Sequence, residues 1–176
     1  MSLQQTLLQP ILKSPLIGRV RRNHGLEHAT LHILSRRYPG RRMGGRSGLD
    51  GFWLIGDVPS EGVRDAVEEA LRRLRNGESR LAVHPNCGTN FAVAGIMAAL
   101  ASLAGMWRVG SRKRDKLERL PLVATLATLA VIAARPFGLS IQQNVTTSGN
   151  PGDLEIVEIV PSQQWGLKSH HIITRG

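Results

Sequence analysis

The sequence predicts a mixed α/β (α+β) domain, interrupted by an Ala-rich apolar helical hairpin and associated with a membrane. Three observations carry this. Short strand-like runs flank one strongly amphipathic helix in residues 41–84. Residues 91–107 and 120–134 contain no charged side chain. A further strand pattern follows at Leu154–Val160, which makes the apolar region an insertion within the domain.

Taken in order, residues 1–22 form an N-terminal amphipathic arm. Leu7, Leu8, Ile11 and Leu12 lie beside Lys13, Arg19, Arg21 and Arg22, while Pro10 and Pro15 break any long helix. Such a segment suits a membrane surface or an arm packed on its own domain. Residues 23–38 read as a helix with Asn23 as N-cap, Glu27 near its start and Pro39-Gly40 after its end. A strand is expected at Phe52–Ile55. The helix that follows has Ser60 as its cap, acids in its early turns, arginines at its end and Asn76-Gly77 as its stop. Its apolar stripe is Val63, Val67, Ala70, Leu71 and Leu74. The run "RLAVH" reads as a short strand ending at His84.

The hairpin, residues 91–135, is rich in Ala, Gly, Ser and Thr, which lets helices approach closely in a bilayer. Each uncharged stretch is shorter than the roughly 20 residues of a full span. The alternative is a pair of helices buried in a soluble oligomer. The segment joining them, "RVGSRKRDKLER", is strongly basic, and positive loops favour the cytoplasm. Residues 1–90 are also basic, and no secretory signal is read at the N-terminus. A re-entrant or surface-lying hairpin keeps both regions on the cytoplasmic side of the cytoplasmic membrane. The α/β metal-site domain is then residues 23–90 plus 136–162. Residues 163–176 are a tail whose His170 and His171 read as exposed polar residues.

The chain has 176 residues and a formal net charge of +10, so anionic partners are favoured, membrane lipid first. With three Trp, one Tyr and three Phe, it lacks the aromatic platforms of a single-strand nucleic-acid binder, and a nucleic-acid role rests on charge alone. One cysteine excludes an internal disulfide framework. The apolar hairpin offers a surface for a homo-oligomer.

The segment "NHGLEHATLH" carries the chemistry. On a helix, His24, His28 and His32 lie at roughly 0, 40 and 80° around the axis, with Glu27 about 60° from His24 on the same side. His24 and His28 have the i, i+4 spacing at which two imidazoles can share one ion. The string fits H-x-x-E-H, in which the glutamate is a general base and not a ligand. A second cluster, "HPNCGTN", offers His84 and Cys87. Imidazole with thiolate favours zinc over magnesium or calcium. Three protein ligands leave a position for water and a catalytic site, whereas four close it into a structural one. Each residue also has a plainer reading. The imidazoles suit a polar helix face, His84 a strand-end hydrogen bond, and Cys87 a small buried apolar residue. His32 could pack or extend the ligand set, and Asn86, Thr89 and Asn90 could orient ligands or cap the loop.

The paired strings "HGLEH" and "HPNCGTNF", the apolar segment directly after them and "TT" with "PGD" before the last strand resemble the YqhQ-like family, bacterial membrane proteins of unknown function. The resemblance spans roughly residues 20–160. It implies a metal-dependent enzyme in which His24, Glu27, His28, His84 and Cys87 are the functional set. It also implies a contribution from Thr146, Thr147 and Asp153, the last as a further ligand or base. True inverted zinc peptidases have a third, acidic ligand downstream, where this chain is apolar and uncharged. The expectation is therefore a membrane-associated zinc-dependent hydrolase of unspecified substrate. The rival is a non-enzymatic membrane-anchored scaffold with structural zinc and a basic surface.

Overall fold

The computed structural model describes residues 14–164 and 166–176. Most of the predicted N-terminal arm therefore lies outside the described residues. By internal contacts the chain forms two units, one comprising residues up to His84 together with Gln143–Gly176, the other Pro85–Gln142.

The first unit is α+β. Helix α1 spans Pro15–Arg37, strands β1 and β2 span Met43–Ser47 and Gly51–Gly56, and helix α2 spans Ser60–Arg75. A single 3₁₀ turn, Ser79–Ala82, ends the first stretch of chain. After the insertion come β3, Glu155–Gln164, and β4, Leu167–Arg175. The four strands make one antiparallel sheet in the order β1-β2-β4-β3. Its inner face presents Phe52, Leu54, Ile159 and Ile172. These pack with Leu26, Ala29, Ile33 and Leu34 of α1 and Val63, Ala66, Val67, Ala70, Leu71 and Leu74 of α2. The stripe of α2 is thus the one its periodicity predicts.

Four expectations are corrected here. The first helix does not start at Asn23. It starts at Pro15, where the fixed φ and missing N–H of proline suit a first helical position. Asn23 is instead fully buried inside α1. It donates from Nδ2 to the Gly48 carbonyl (2.9 Å) and accepts from the Thr174 hydroxyl (2.7 Å). Glu27 is consequently mid-helix and gains nothing from the helix dipole. "RLAVH" is not a strand, because the carbonyls of Ala82 and Val83 are taken by histidine side chains of α1 and not by a sheet ladder. The tail at 163–176 contains β4, which pairs with both β2 and β3. Its pattern was obscured because polar residues face inward. Thr174 meets Asn23, and His170, 4% exposed, pairs through Nε2 with the Ser60 hydroxyl at 2.9 Å. Burial lowers the pKa of His170, which keeps the ring neutral. Strand β1 was not expected, since "MGGRS" has no apolar alternation; pairing with β2 defines it.

The second unit is a helical hairpin. Helix α3 spans Gly88–Gly105 and α4 spans Lys113–Ile141, followed by a π-helical turn at Gln142–Thr146. The helices are antiparallel: Gly105 of α3 lies against Val123 and Leu126 of α4, and Gly138 of α4 against Asn90 of α3. Small residues at these crossings let the backbones approach, because a Cβ on Gly105 would sit 3.0 Å from a Val123 methyl. The helix runs past residue 135, the expected end of the hairpin, and continues through Pro136 and Gly138. Both helices are long and apolar enough to cross a membrane. Phe91, Ile96, Leu100 and Leu103 of α3 and Leu129, Ile132 and Phe137 of α4 are exposed.

Candidate metal centre

The middle of α1 positions the imidazoles. The His24 and His28 rings lie edge to face with centroids 4.4 Å apart, as their i, i+4 spacing dictates. His28 is buried at 2% exposure, and its Nδ1 is 2.8 Å from the Ala82 carbonyl. The His24 Nδ1 is 3.0 Å from the Thr146 carbonyl. A carbonyl can only accept, so each Nδ1 carries the proton and each Nε2 presents its lone pair. Backbone-anchored imidazoles of this kind are the usual orientation of metal-binding histidines. His32 is oriented the other way, donating from Nε2 to the Val83 carbonyl at 2.9 Å.

His84 closes the same cluster. Its ring centroid is 5.8 Å from that of His28 and 4.7 Å from that of His32. Burial, followed by the proximity of His32 and His28, pushes its pKa down to about 4. At neutral pH the ring is uncharged and its nitrogen chemistry is that of a ligand. Cys87 follows three residues later, a tether of about 10 Å at most. Cys87 is buried, and its thiol hydrogen-bonds the Thr89 hydroxyl at 3.5 Å. The His24 and His28 imidazoles offer two ligand atoms to a metal ion from one face of α1.

Glu27 is 4% exposed and reaches toward β1, where it accepts a hydrogen bond from the Ser47 hydroxyl. Gly45 makes room for it, since a Cβ there would sit 2.6 Å from the Glu27 carboxyl carbon. Asp153 goes elsewhere: its side chain is 79% exposed and faces Arg22 at 3.9 Å. Thr146 and Thr147 contribute backbone carbonyls, to His24 and to Arg21. Asn90 bonds the Pro85 carbonyl and accepts from Gln142, each at 2.7 Å, within the helical unit. Sequence reasoning missed Ser47, Gly45 and the anchoring carbonyls. A carbonyl leaves no mark in a sequence, but "GG" opposite a buried glutamate is a detectable one.

The glycine of "HGLEH" has a steric cause. A Cβ on Gly25 would overlap the Ser148 carbonyl group, 3.0 Å from its carbon, and press on Ala82 at 3.3 Å. Ser148 is itself fixed by its N–H to the Arg21 carbonyl at 2.9 Å. Gly25→Ala should therefore destabilise the fold by about 1–3 kcal/mol, as overpacking does. A lowered thermal midpoint checks it; an unchanged midpoint would mean that this loop gives way.

Fold and site together define a class: an α+β domain with a part-buried histidine cluster, carrying an inserted apolar hairpin. The chain belongs to the family described as a domain of unknown function, DUF6391, which matches residues 19–159. It is also 34% identical over 166 residues to an uncharacterized protein of Picosynechococcus sp. (strain ATCC 27264 / PCC 7002 / PR-6), covering 89% of this chain and 79% of that one. No solved structure matches the chain. The expectation of a family of unknown function thus stands, under the DUF6391 description and not the YqhQ-like label.

Proposed function

We propose that this chain is a membrane-associated zinc-dependent hydrolase, with His24, His28 and Cys87 as principal ligands, His84 beside them and Glu27 as general base. The observation that carries the reading is the anchoring of both α1 imidazoles through Nδ1 to backbone carbonyls, which aims two Nε2 atoms from one helix face. The donors fit the ion: neutral imidazoles with a thiolate select zinc among the common divalent cations. A bound zinc would supply an activated water, with a pKa near 7, and polarise a substrate carbonyl or phosphoryl oxygen. Three ligands would leave that position open.

Glu27 would hold a proton acceptor next to His24 and His28. The Ser47 hydroxyl would steady its carboxylate. His84, kept neutral, would add no positive charge to repel the ion. The helical unit would attach the domain to the cytoplasmic membrane, with the metal-site unit on the cytoplasmic side and anionic lipid against the basic segment between α3 and α4.

Metal analysis of detergent-purified protein tests this reading. About one zinc per chain is expected, lost in His28→Ala and in Cys87→Ser. Protein with no bound metal after growth in zinc, or with metal undisturbed by both substitutions, would defeat it.

A further inference from the structure

A cationic feature lies on α1, one turn before the histidines. An open cavity of about 290 Å³ is lined by Ser14, Gly18, Arg21, Arg22, Ser148 and Asn150, among others. That volume is near the lower end of the range for small-ligand sites. Its chemistry is uneven. Two guanidinium groups line it, and among the described residues Arg22 alone has an acid beside it, Asp153 at 3.9 Å and itself largely in solvent. Arg21 is braced by donating to the carbonyls of Thr147 (3.0 Å) and Asn144 (3.2 Å). Nε of both Arg21 and Arg22 is buried with no hydrogen-bond partner among the described residues. Buried donors of this kind are expensive to leave unmet. Gly18, four residues before Arg22, leaves the wall between them open, and its Cβ would be 3.8 Å from the Arg22 guanidinium. The start of α1 has no side-chain cap.

The loop ties this cavity to the metal centre. Thr146 anchors His24 while Thr147, the next residue, anchors Arg21. Guanidinium forks match phosphate oxygens, and a net charge of +10 would draw such an anion in.

We infer that the Arg21–Arg22 cavity binds a phosphate group, and that the substrate presented to the histidine cluster carries one. The second clause rests on the hydrolase reading; the first does not. The phosphate could belong to a soluble phosphomonoester or to a lipid headgroup.

The test uses full-length protein in detergent, titrated with inorganic phosphate and followed by ³¹P NMR, with metal content measured in parallel. Saturable binding is expected. Arg22→Gln should weaken it roughly ten- to hundredfold, as loss of a charge-assisted pair does, with metal content unchanged. Asp153→Asn, which removes the competing carboxylate, should tighten it. His28→Ala should lose metal yet keep phosphate binding, so failure of the metal reading is seen separately. Reconstitution in nanodiscs separates the sources. If phosphatidate, but not phosphatidylcholine, displaces inorganic phosphate, the group is a lipid headgroup; if neither does, it is soluble. Absence of saturation in the unsubstituted protein would overturn the inference. So would a titration unchanged in both Arg22→Gln and Asp153→Asn, or binding lost only with the metal. Should Arg22→Gln fail to fold, Asp153→Asn decides alone.

Discussion

Glu27→Gln is expected to leave the zinc content unchanged while removing hydrolytic turnover by a factor of order 10²–10⁴, the usual contribution of a general base. Glutamine preserves the shape of Glu27 and can still accept from the Ser47 hydroxyl, so the contact with β1 survives. Only the capacity to take a proton is lost. His28→Ala should do the reverse. It removes a ring that is 2% exposed and anchored to Ala82, so the metal is lost and thermal stability falls while the fold persists. The assay is a panel of chromogenic esters and phosphoesters on zinc-loaded protein, with metal analysis of every variant. If Glu27→Gln lost metal and thermal stability as His28→Ala does, the glutamate would be a structural partner of the cluster. The scaffold reading would then replace the enzymatic one. Ser47→Ala gives an intermediate check, because it removes the donor that fixes the carboxylate and leaves the acid in place.

The second large effect concerns the hairpin. Wild-type protein should sediment with membranes and resist salt and carbonate until detergent is added. Ile132→Asp, at a side chain 67% exposed near the end of the uncharged stretch of α4, should oppose insertion by up to about 2.5–3.5 kcal/mol. That is roughly a hundredfold shift in partitioning. Leu129→Asp, one turn earlier and 57% exposed, should act alike. By contrast, Thr125, which bonds the Pro121 carbonyl at 2.9 Å along the helix, should tolerate Ser. Recovery of the wild type as a soluble species without detergent would show that these exposed faces are covered by other protein. An oligomer buried through α3 and α4 would then be the correct picture.

What was legible in the sequence follows from locality. The stripe of α2, its stop at Asn76-Gly77 and the strand at Phe52–Ile55 rest on short-range periodicity, and each appears in the structure where the pattern put it. The i, i+4 pairing of His24 and His28 is equally local, since helix geometry alone brings the rings together. The absence of charge in 91–107 and 120–134 is likewise a property of composition.

Tertiary structure decided the rest, because the determining partners are distant in the chain. Asn23 looked like a cap, being a good capping residue before an apolar-periodic run; only Gly48 and Thr174, far away in sequence, make it a buried core group. β4 looked like a tail because Thr174 and His170 are polar, and they can face inward only because Asn23 and Ser60 satisfy them. The bracing of Arg21 by the carbonyls of Asn144 and Thr147 likewise joins residues more than 120 positions apart. The orientation of each imidazole depends on a backbone carbonyl of Ala82, Val83 or Thr146, and every residue type supplies the same carbonyl. The sequence by itself therefore named the candidate donor residues, His24 and His28, with Cys87 in a second cluster. Which ring nitrogen each histidine presents, and where Glu27 is held, were settled by folding, since backbone groups carry no side-chain identity for a sequence to record.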